Sequence, residues 1–108
     1  MQNELANELL EGMIGEIREQ GIDATTLIPR LKEVRELALK EEDPLLARAL
    51  RLCWQHISEN DGFHLAFVEE AETQEENLSY MLELALRSDN KYNRDELREM
   101  TNMLQQMA

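Results

Sequence analysis

Cys53, His56, Glu59, Asp61 and His64 bring a thiol, two imidazoles and two carboxylates into one short stretch. If the segment is helical, Cys53, His56 and Glu59 continue a single row at intervals of three, so sulfur, nitrogen and oxygen donors of the kinds zinc takes share a face. The pattern argues against that use. There is no Cys-x-x-Cys pair and no His-Glu-x-x-His motif. Cys53 sits among Leu50, Leu52, Trp54 and Ile57, where a free cysteine serves as a small core residue. A di-iron carboxylate centre needs Glu-x-x-His on each of two helices, and the residues three before His56 and His64 are Cys53 and Asp61. No metal and no cofactor is expected.

Covalent catalysis meets a similar objection. His56 is in reach of Cys53 as a base, but reactive thiolates form in electropositive surroundings and Cys53 opens an acidic region. Gly-x-Ser-x-Gly, a phosphate-cradling glycine loop and a dinucleotide fingerprint are all missing. The expectation is a protein that is not an enzyme.

The stronger signal is charge. Between Leu52 and Leu86 there is no lysine or arginine, and eight carboxylates there account for most of the chain's formal net charge of −12. Such a balance repels phosphate backbones and anionic lipid, so direct nucleic-acid and membrane binding are disfavoured and a basic protein partner is favoured. Glu69, Glu70, Glu72, Glu75 and Glu76 concentrate that charge. Side by side on a helix they repel by a few tenths of a kcal/mol per pair, roughly, unless a helix start near Thr73 lets its dipole offset the cost. They read either as a solvated surface or as the face for a basic partner. Met100, Met103 and Met107 form a flexible apolar edge, read as core packing or as the seam of a homodimer through the C-terminal helix. Trp54 poses the same choice between core anchor and interface hot spot.

The elements that must position these residues are helical. Leu5, Leu9, Leu10, Met13, Ile14 and Ile17 keep the rhythm of one helix face, with Asn3 or an adjacent residue at its start and Gly21 at its end. Gly12 and Gly15 lie inside it, either as points of close helix approach or as weak spots. The spacing of Leu27, Leu31, Val34 and Ala38 predicts a helix from Thr25 or Thr26 to Lys40, capped by Thr26, with Pro29 in its first turn. Asp43-Pro44 opens the next, to about Ser58, apolar around most of its circumference and therefore central. Asn60-Asp61-Gly62 is a turn signal. A helix from near Asp61 toward Glu76, with a break near Thr73, is preferred for the following run, because Phe63 to Val68 as a lone strand lacks a partner. A helix through Leu78, Met81, Leu82 and Ala85 ends at Ser88-Asp89-Asn90, and Asn93 is expected to cap the last one.

The sum is an all-α fold, a compact single-domain bundle of five or six short helices around a central helix at Pro44–Ser58. A lone cysteine, the lack of a basic-apolar leader and the lack of a long apolar stretch predict a cytoplasmic protein. The expected function is a small acidic interaction module, a regulator or adaptor, binding a basic partner through Glu69–Glu76 and the methionine edge. The alternatives are an acidic nucleic-acid mimic that blocks a nucleic-acid-binding protein and a metal-binding helical bundle.

Overall fold

Side-chain caps divide the chain. In the computed structural model, which describes residues 1–108, the helices are α1 (Glu4–Gln20), α2 (Ala24–Lys40), α3 (Pro44–Asn60), α4 (Gln74–Leu86) and α5 (Lys91–Met107). Asn3 Oδ1 accepts from Ala6 N at 2.9 Å to start α1, and the N–H of Gly21, at φ +86°, donates to Ile17 O to end it. Asp43 caps α3 with Pro44 in the first turn, and Asp61 closes α3 in the left-handed region at φ 49°.

Two expected caps move. Asp23, not Thr26, caps α2, because its carboxylate reaches Thr25 N at 3.0 Å and adds favourable charge at the helix start. Thr26 donates its hydroxyl to Asp23 O instead, and Pro29 falls in the second turn on the exposed side, where water can take up the freed Thr25 carbonyl. Asn90, not Asn93, caps α5, accepting from the N–H groups of Tyr92 and Asn93. Asn93 donates its side-chain amide to Arg87 O at 3.0 Å.

The largest difference lies between α3 and α4. Residues 61–73 are not helical. Phe63 and Leu65 are buried while His64 and Ala66 are exposed, a period of two that lays extended chain over the core. The partner strand whose lack favoured a helix is not needed. Side chains of His56, Gln74 and Asn77 accept the backbone N–H groups of Phe63, His64, Phe67 and Val68.

The five helices close a ring in the order α1, α2, α3, α5, α4, each packed chiefly against two neighbours. α3 contributes eight buried residues, more than any other helix, yet it is one side of the ring rather than a hub. Arg94 clamps the start of α3 to α5, Nη1 and Nη2 each donating to an oxygen of the Asp43 carboxylate at 2.9 Å. That bidentate bond holds the Asp43 carboxyl below the usual range. Lys32 and Arg35 of α2 lie over the half-buried Trp54 ring, each 5.8 Å from its centroid. Gly12 and Gly15 face open space, so close helix approach does not account for them. No helix is long and apolar enough to cross a membrane.

Candidate functional site

The first turn of α4 organises the acidic segment. Thr73 Oγ1 accepts from Glu76 N, and Glu76 Oε2 accepts from Glu72 N, both at 3.2 Å, a capping box shifted by one residue. Asn77, 6% exposed, accepts from Phe67 N and Val68 N at 3.1 Å each and donates to Thr73 O at 3.3 Å. Gln74 Oε1 accepts from Phe63 N at 2.9 Å. Gln74, Glu76 and Asn77, all from the start of α4, thus do for this segment what a neighbouring strand or helix turn would do.

The segment so fixed forms one wall of a cavity of about 450 Å³, with the end of α1 and a face of α4 as the others. Glu70, Glu75, Glu76 and Glu83 line it, against a single basic side chain, Arg18, which pairs with Glu83 at 2.5 Å. Glu75 Oε1 lies 3.6 Å from the position a Cβ at Gly21 would occupy, so the end of α1 leaves room for that carboxylate. Tyr80 lines the cavity near Phe67, ring centroids 6.3 Å apart, and donates its hydroxyl to Glu96 of α5. That bond to a carboxylate pushes the phenol up to about 12. Ser79 also lines the cavity. It is 3% exposed, and its hydroxyl has no hydrogen-bond partner.

Glu70, Glu75 and Glu76 therefore share one concavity, while Glu69 and Glu72 are exposed outside its lining. Arg18, Ser79, Tyr80 and Glu83 were not expected there. The signal for three of them was present in the sequence: 76, 79, 80 and 83 follow the spacing of one helix face once α4 begins at Gln74. Arg18 carries no such signal, because it arrives from another helix.

The methionine edge divides. Met100 has no exposed surface and packs in the core, so it offers nothing to a partner. Met103 packs partly buried against the core, and Met107 is 49% exposed. Met107 borders a small separate crevice with His56 and Glu59. No group of three or more His, Cys, Asp or Glu side chains is placed to hold a metal ion. Cys53 is fully buried, and burial pushes its thiol up to about 12, far from a thiolate at neutral pH. His56 is spent on structure, its Nε2 accepting from His64 N at 3.0 Å.

Family models, curated proteins and solved structures offer no match to this chain.

Proposed function

We propose that this protein is a small acidic, non-enzymatic interaction module that docks a basic surface of a partner protein in the cytoplasm. One observation carries the reading: four glutamates from a pinned segment and α4 line a single cavity with one, already paired, arginine. Like charges so gathered raise the local potential and attract cations, and a basic partner relieves their repulsion. A nucleic-acid mimic calls for carboxylates ranged along an extended surface, and the concave arrangement favours a protruding basic group instead.

Affinity capture from the native host tests the proposal, using the wild-type chain beside a variant carrying Glu69→Lys, Glu70→Lys and Glu72→Lys. All three side chains are exposed, so the fold is retained. A protein recovered with the wild type and lost with the variant is the expected result. Equal recovery from both removes the acidic face from the reading.

A further inference from the structure

We infer that the outer face shared by α2 and α3, centred on Trp54, is a second docking surface, one that takes an acidic segment of a partner protein. Lys32, Arg35, Arg48 and Arg51 supply its charge. Lys32 and Arg35 reach over the indole from α2, each 5.8 Å from the ring centroid. On α3, Arg48, Arg51 and Trp54 follow at intervals of three, so Arg51 neighbours both the indole and Arg48. Lys32 is exposed, and the other four side chains are partly so.

What sets this face apart is the lack of carboxylates on its cations. The chain has 23 acidic residues for 11 basic ones, so a surface cation readily finds a partner within the fold. Arg18, Arg30, Arg94 and Arg98 do, each with a carboxylate oxygen within 3.2 Å. Lys32, Arg48 and Arg51 pair with none, and Arg35 has only its neighbour Glu36, at 3.9 Å. Arg48 donates instead to the neutral side chain of Asn102. Lys40, Arg87 and Lys91 are also unpaired, but they stand at helix ends and lie over no aromatic ring. Like charges gathered in this way repel, and an anionic guest removes that cost. Tryptophan and arginine are the residues that most often dominate an interface, and the half-buried indole offers apolar area beside the charges. An acidic peptide suits the face better than a nucleic acid. The net charge of −12 repels a continuous phosphate backbone far more than a few carboxylates. The acidic cavity draws on α1, α4 and the segment before α4, so the two surfaces, opposite in sign, stand on different helices.

Trp54 is the only tryptophan, so its fluorescence reports on this face. The full chain is titrated at about 0.1 M salt, which screens charges more than roughly 10 Å apart. The probes are a blocked Gly-Glu-Glu-Glu-Glu-Gly peptide, its glutamine counterpart and oligothymidylate. A saturable change with the glutamate peptide and none with the other two is expected. Lys32→Gln with Arg51→Gln should weaken the glutamate peptide about tenfold, the size expected of two partly exposed ion pairs. Arg87→Gln with Lys91→Gln removes the same charge elsewhere and should weaken it by less than about twofold. No binding of the glutamate peptide, equal weakening by the two variant pairs, or tighter binding of oligothymidylate overturns the inference. So does a doubled mass of the free chain that returns to 12.6 kDa in the Lys32→Gln, Arg51→Gln variant, because the occupant is then a second copy.

Discussion

His56 holds the 61–73 segment through a nitrogen that must stay unprotonated. Because Nε2 accepts from His64 N, the ring hydrogen belongs on Nδ1, and a second proton would turn the acceptor into a donor facing a donor. Burial lowers the pKa of His56 below its ordinary 6.5, the neighbouring His64 lowers it further, and Glu59 opposes both. The unfolded chain takes up this proton near pH 6.5, while the folded chain resists it to lower pH. The stabilisation is therefore complete above about pH 6.5 and is lost as pH falls through the folded-state value. His56→Gln keeps an acceptor but does not titrate. The wild-type melting temperature should fall more steeply than that of His56→Gln between about pH 7 and pH 5. Parallel profiles would show that His56 does not couple the segment to protonation.

Among the elements, α1 carries two avoidable costs. Gly12 and Gly15 are exposed in its middle, with nothing within 4 Å of a Cβ built at either position. Gly12→Ala and Gly15→Ala should each stabilise the protein by about 0.5–1 kcal/mol, and the gains should add within a few tenths, as read by chemical denaturation. A loss of stability would mean that these positions serve a packing role the open space around them does not reveal. The helix boundaries teach a related lesson. Asp43-Pro44 could be read directly, because the cap side chain and the first turn are adjacent in sequence. Residues 61–73 could not. Their backbone N–H groups are satisfied by His56, Gln74 and Asn77, residues that become partners only after the chain has turned back on itself.

At the scale of the molecule, the ring of five helices covers its own apolar stripes. Leu97, Met100 and Leu104 of α5 are buried against the core, with Leu104 the most exposed of them at 2%. The large apolar side chains left exposed, Leu5, Leu39, Tyr92 and Met107, lie on α1, α2 and the two ends of α5. On α5 that separation is about 22 Å at helical rise. A homodimer seam along this helix would have Met107 and little else to bury. Stable interfaces generally hide about 800 Å² per partner, so sedimentation equilibrium should return the monomer mass of 12.6 kDa. A mass near twice that value would show that two copies associate despite the small apolar area exposed on this helix.

The sequence by itself determined the helical class, most of the helix boundaries and the concentration of negative charge around the start of α4. These follow from local periodicity, capping and composition, which need no distant contacts. Tertiary structure decided which glutamates line one cavity, that Met100 is core, and that Arg18, Ser79 and Tyr80 line that cavity with part of the acidic run. That outcome depends on α1 packing against α4 and on Asn77 reaching back to Phe67 and Val68. Charge can be counted along a chain, but a pocket exists only once separate segments enclose it.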